Sequence, residues 1–111
     1  MLQIILFKEY TVSRPYTEEI LEKHGTRETY RIREFDEELE DRELIWHRDA
    51  ETRRVSVLSG DGWKLQLDNE LPHTLKVGNH YAIPKMKYHR LIKGQGNLVI
   101  KIENCLLYTS D

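Results

Sequence analysis

The sequence predicts an all-β fold, an antiparallel sandwich or barrel. Three observations carry this. Short runs alternate apolar and polar residues at the period of a half-buried strand, as in Tyr81 and Ile83, or Leu98, Ile100 and Ile102. Turn residues punctuate them at close intervals, in Gly60-Asp61-Gly62, Asp68-Asn69, Leu71-Pro72, Gly78-Asn79 and Gly94-Gln95-Gly96-Asn97. No alternation of strands with helices of the kind that builds a parallel sheet is present, nor any internal repeat.

Taken in order, Leu2 to Phe7 is an apolar run that reads as a strand, free to pair with a second subunit. Thr17 to Gly25 carries two signals. Thr17 as N-cap, Glu18 and Glu19 in a first turn and Gly25 just past the end describe one short N-terminal helix. The same residues also suit an opening strand. Glu28 to Phe35 alternates, with Tyr30 and Ile32 on one face and Arg31 and Arg33 on the other. Asp36 to Glu43 holds six acids and one arginine and reads as a solvated loop rather than a cation site. Strands are then expected over Glu43 to His47, Arg53 to Ser59 and Trp63 to Leu67, with Arg48 to Thr52 a connection. Gly78 opens the strand through Ile83, Pro84 ends it because it cannot donate to a ladder, and His89 lies on the next one. Residues 1–104 form one domain on this reading. The stretch 105–111, without charge until Asp111, reads as an added tail, or alternatively as an apolar segment docked on a partner.

Composition narrows the function classes. The chain has 111 residues, 32% charged and 39% hydrophobic, enough for one core and not two. A net charge of −2 gives no basic field for nucleic acid, and no apolar run approaches the roughly 18 residues of a membrane helix. The single Cys105 excludes an internal disulfide and a cysteine-built zinc cage, so a reducing, cytoplasmic setting is expected.

The skeleton Gly78, five residues, Pro84, four residues, His89 resembles the second signature motif of the cupins. Counting back from Gly60, the family's first motif falls on His47, Asp49 and Arg53, where it most often has two histidines and a glutamate. Position 41 is Asp41 rather than the motif's opening glycine, Met86 replaces a usual glycine in the second motif, and Lys93 a common asparagine. The resemblance covers about residues 28 to 104. It implies an antiparallel double-stranded β-helix, the cupin jelly-roll barrel, with a site in its interior. Sliding the first motif by one residue would place Trp46 and Arg48 at the ligand positions and abolish that site.

The resemblance also implies a metal. His47, Asp49 and His89, with Glu51 as an alternative oxygen donor, make the two-imidazole, one-carboxylate set that suits Fe(II) and also takes Mn, Ni or Zn. The same three residues are the catalytic candidates. Arg53 opposes a cation unless it is paired with Asp49 or Glu51. The competing reading is such an ion pair inside a metal-free pocket. Lys87 and Arg90, flanked by Lys85 and Lys93, are candidates with Arg53 for holding an anionic substrate, against the plainer reading of a solvated rim. Trp63 is a candidate for stacking on a sugar ring or for the core, whereas Trp46 reads as packing. His24, His73 and His80 have no partner at ligand spacing.

Three functions stay open. One is a small metal-dependent cupin enzyme, of isomerase or dioxygenase type, acting on a small polar or anionic metabolite such as a sugar derivative. Its Ile-Pro…His-Arg ending resembles cupins that act on sugar phosphates, such as phosphomannose isomerases. Another is a metal-free module that binds a small molecule. The third is a purely structural role. A homodimer is expected, since small cupins commonly pair and Leu2 to Phe7 would otherwise leave an apolar edge.

Overall fold

The computed structural model describes residues 14–105. The strand expected over Leu2 to Phe7, and the tail beyond Cys105, lie outside the described residues. Eight strands follow in order: β1 (Thr17–Glu22), β2 (Thr29–Phe35), β3 (Arg53–Asp61), β4 (Lys64–Leu67), β5 (His73–Thr74), β6 (His80–Ile83), β7 (His89–Ile92) and β8 (Gln95–Asn104). They form an antiparallel five-stranded sheet of order β1-β2-β8-β3-β6 and a three-stranded sheet of order β5-β4-β7. Among the described residues the only helical element is a 3-10 turn at Asp41–Glu43, and no helix is long and apolar enough to cross a membrane.

Alternation sets what each strand buries. Val55 and Val57 of β3 stand opposite Ile102 and Ile100 of β8, and Leu98 of β8 opposite Phe35 of β2, and all of them are buried. Leu65 of β4 belongs to the same buried cluster, with Trp63 at its base. Each such side chain contributes on the order of 1.5–3 kcal/mol by leaving water. Trp63 is fully buried, donates its indole N–H to the Gly96 carbonyl at 3.0 Å and lies 6.1 Å from the Phe35 ring. Its backbone passes so close to Gly94 that a Cβ there would collide with the Asp61 oxygen and the Trp63 nitrogen. Only glycine permits that crossing.

Two expectations are corrected here. Thr17 to Gly25 is not a helix: Thr17–Glu22 pairs antiparallel with Thr29–Glu34 as one arm of a hairpin. Gly25 (φ +74°) lies in the hairpin connection, where Thr26 and Lys23 close the turn. A helix C-terminus and a hairpin turn ask for the same left-handed glycine, so the local residues do not distinguish them. Neither is Glu43 to His47 a regular strand. Glu43 ends the 3-10 turn, its carboxylate accepting the Glu40 N–H at 3.0 Å, and only His47 bridges to a neighbour, His89.

The face of β2 that turns inward is the one bearing arginine. Arg33 and Phe35 are buried, while Glu34 between them is exposed. Glu18, directly opposite Arg33 on β1, accepts from its Nε at 2.6 Å, and the guanidinium lies 4.2 Å from the Tyr16 ring centre. That pairing is what makes an inward arginine tolerable.

Candidate metal centre and pocket

A cavity of about 390 Å³ lies between the sheets, within the roughly 300–1,000 Å³ of small-molecule sites. His47 and Asp49 approach it from the stretch before β3, Arg53 from the first position of β3, and His89 from the start of β7. His47 and His89 are joined by two backbone hydrogen bonds, of 3.0 and 2.8 Å, so their rings lie with centres 4.2 Å apart. The donor atoms of His47, Asp49 and His89 all lie within 4.8 Å of one another. Trp46, next to His47, points the other way and is stacked under Arg90 at 4.9 Å. The register that puts Trp46 at the site is therefore excluded.

Hydrogen bonding fixes the imidazoles. His89 Nδ1 is 2.8 Å from the Lys87 carbonyl and His47 Nδ1 is 3.1 Å from the Ile45 carbonyl. A carbonyl only accepts, so both Nδ1 atoms carry a proton, and in the neutral His89 ring Nε2 is left with a lone pair. A backbone carbonyl behind each ring is the arrangement that orients metal-ligating histidines. Burial holds the His89 imidazole below its ordinary value; the Lys87 carbonyl and Asp49 pull it up, while His47 and Arg53 add to the depression. His89 is thus neutral at pH 7.

Asp49 supplies the test of whether a cation fits. Its Oδ2 is buried and accepts no hydrogen bond from any described residue, yet it lies 3.4 Å from the His89 Nε2 lone pair. A lone pair facing a buried carboxylate oxygen is unfavourable unless a positive species lies between them. Two imidazoles and one carboxylate oxygen that converge at the cavity, with His89 buried and His47 exposed at its mouth, fit a divalent ion. Asp49 Oδ1 is 3.3 Å from Arg53 Nη1, so one carboxylate can serve the arginine with one oxygen and a cation with the other. Arg53 Nε is also buried without a partner.

The remaining candidates fall elsewhere. Glu51 is exposed and outside the group of converging donors, so Asp49 alone supplies the oxygen. None of Lys85, Lys87, Arg90 and Lys93 lines the cavity. On β7 alternation turns Arg90 away from His89 and Leu91, and its Nε donates to Gln66 at 2.9 Å. Lys87 lies in the turn before β7 rather than on the strand, and Lys93 is engaged by the Leu39 carbonyl at 2.6 Å. Trp63 has no exposed ring face to offer a sugar. Met86, standing where the family's glycine is usual, takes a left-handed φ of +62° and donates its N–H to the Asp49 carbonyl at 2.7 Å. Two polar lining residues, Tyr16 and Arg33, are not among the site candidates the sequence offers. The alternation of Arg33 with Phe35 was the available signal.

Two antiparallel sheets about a cavity at which a His-Asp-His group converges define the chain as a small protein of cupin fold. No family model and no curated protein matches the sequence. Among solved structures it is similar to a cupin-2 domain containing protein from Shewanella frigidimarina, at 17% identity and a TM-score of 0.61, over 91% of this chain and 90% of that one. KdgF from a Halomonas species is similar at 17% identity and 0.62, over 85% and 83%. Fe(II)-HppE with an alternative substrate is similar at 16% and 0.62, over 81% of this chain and 49% of that one. The chain thus spans about half the length of HppE. At these identities the likeness establishes the jelly-roll fold.

Proposed function

We propose that this chain is a metal-dependent cupin enzyme, of isomerase or dioxygenase type, acting on a small polar or anionic metabolite. His47, Asp49 and His89 would hold a divalent Fe, Mn, Ni or Zn ion. The observation that carries this is Asp49 Oδ2, buried, unpartnered and facing the His89 lone pair. The Fe(II) form of the structurally similar HppE supports it as an analogy of fold. A bound divalent ion supplies a Lewis acid or a redox centre at that point. The chain's own residues do the rest. The Lys87 and Ile45 carbonyls orient the two imidazoles, and Arg53 holds an anionic group beside the triad. A neutral imidazole at His47 or His89 can also accept a proton at Nε2.

A second reading, a metal-free binding module, is favoured by one observation, the Asp49 to Arg53 ion pair at 3.3 Å. Metal analysis of the purified full chain separates the two. The enzyme reading expects one equivalent of a transition metal in the wild type and none in His89→Ala. Folded wild type that takes up no Fe, Mn, Ni or Zn after loading would overturn it.

We also propose a cytoplasmic homodimer. Among the described residues β1 is an edge strand and Ile20 is 60% exposed, an apolar side chain that a partner would cover. Sedimentation at micromolar concentration checks this, and a monomer would contradict it.

A further inference from the structure

The cavity is strongly polarised. Ten of its sixteen lining residues are apolar, among them Val55, Leu65, Ile83, Leu91, Ile100 and Ile102. Its free polar groups gather at one end, where His47, His89, Asp49 and Arg53 lie within 3.3 to 4.2 Å of their neighbours. Of the other two polar lining residues, Arg33 gives its Nε to Glu18 at 2.6 Å and lies over the Tyr16 ring at 4.2 Å. Arg53 is different. Among the described residues it makes one ion pair and no hydrogen bond, and its Nε is buried unpartnered. A guanidinium has five N–H donors in a fork that matches a carboxylate.

We infer that the substrate is a small carboxylate with an apolar body, its anionic end beside Arg53 and its hydrocarbon against the aliphatic wall. The inference rests on the proposed site but on its walls and Arg53 rather than on its metal ligands. Charge points the same way. A divalent ion together with Arg53, set against the single negative charge of Asp49, leaves the polar end positive, and a carboxylate brings it toward neutrality. The shape of the polarity argues against a sugar. A hexose carries hydroxyls all round its ring, and those facing the wall would lose water without gaining a partner. An apolar body loses nothing there.

The test is calorimetric titration of the full chain, once treated with EDTA and once loaded with Mn(II). The probes are butanoate, hexanoate, octanoate, hexan-1-ol and glucose 6-phosphate. The inference predicts about fourfold tighter binding per added methylene until the cavity is full. It also predicts hexanoate at least tenfold tighter than hexan-1-ol or glucose 6-phosphate. In Arg53→Met the advantage of acid over alcohol disappears while the chain-length dependence stays. A flat chain-length series, an alcohol equal to the acid, or tighter glucose 6-phosphate would overturn it. Should Arg53→Met not fold, the wild-type series decides alone. Uptake of Mn(II) with indifference to hexanoate overturns this inference and leaves the metal reading intact. Binding of hexanoate with no Mn(II) uptake does the reverse, and binding of neither overturns both.

Discussion

Two arginine–carboxylate pairs reach the same cavity, and they differ in how completely each is satisfied. At one end Arg33 and Glu18 have side chains 10% and 11% exposed, meet at 2.6 Å, and are supported by Arg31 and the Tyr16 ring. At the other, Arg53 and Asp49 are 14% and 15% exposed, meet only at 3.3 Å, and each leaves a buried polar atom without a partner. Burial is nearly equal, so burial is not what separates them. Both pairs are desolvated on folding, but only the second leaves buried polar atoms open. A buried polar atom left open is costly to keep, and a site that needs it is the physical reason to keep it. The first pair is structural; the second is where chemistry belongs.

Breaking the satisfied pair gives the largest expected effect. Arg33→Met removes the closest partner of the buried Glu18 carboxylate and leaves it only Arg31 at 3.3 Å and the exposed Arg14 at 4.0 Å, which costs about 3 kcal/mol, the low end for a broken buried pair. Urea unfolding of the variant against wild type reads this directly. Arg53→Met is smaller, about 1–3 kcal/mol, because Asp49 already lacks a hydrogen bond to lose. Unlike the first variant, it leaves metal affinity equal or higher, since one positive charge beside the site is gone. Equal losses in the two variants would erase the distinction between the pairs.

A third effect depends on pH. The folded pKa of His89 is depressed below its unfolded value near 6.5, chiefly by burial, so between the two values the unfolded chain binds more protons. Stability therefore rises with pH across that interval and is lost as pH falls through the folded pKa. Thermal melts from pH 7.5 down to 4.5 should show the slope, and His89→Gln should flatten it. The smallest effect is at the surface. Glu103 is held low despite the upward push of burial, by its hydrogen bond to Lys23 and by the charges of Lys101, Lys23 and Arg54. Lys23→Gln should raise the Glu103 pKa in an NMR titration. Its pair contributes only above the unfolded carboxylate pKa and fades as pH falls through the folded one, so melting at pH 7 should change little.

What could be read from the sequence follows the range of each interaction. β2, β3, β6 and β8 declared themselves because period-2 alternation and turn residues are local signals. Gly78 (φ +90°), Pro84 and His89 fall at a turn, a strand end and an inward strand position, as that spacing required. β1 was not decidable, because its Gly25 and Thr17 serve a hairpin as well as a helix and the ladder to β2 is what chooses. The gathering of His47, Asp49 and His89 followed from the resemblance at fixed spacing. Arg33 was missed because the partner that lets it turn inward, Glu18, is fifteen residues away in sequence. For Trp63 and Arg90 the plainer readings, core and rim, describe the structure, and the residues that fix them are equally remote in sequence. Their partners, the Gly96 carbonyl and Gln66, come from other strands.

The central claim is that the open end of the cavity holds a divalent cation through the unpartnered Asp49 oxygen. Calorimetric titration of the EDTA-treated wild type with Mn(II) at pH 7.5, beside Asp49→Asn and Asp49→Glu, tests it most directly. The account predicts one site in the wild type, loss of at least tenfold in affinity in Asp49→Asn, and partial recovery in Asp49→Glu, with all three proteins folded. Wild type that binds no Mn(II), or Asp49→Asn that binds it as tightly, would contradict it.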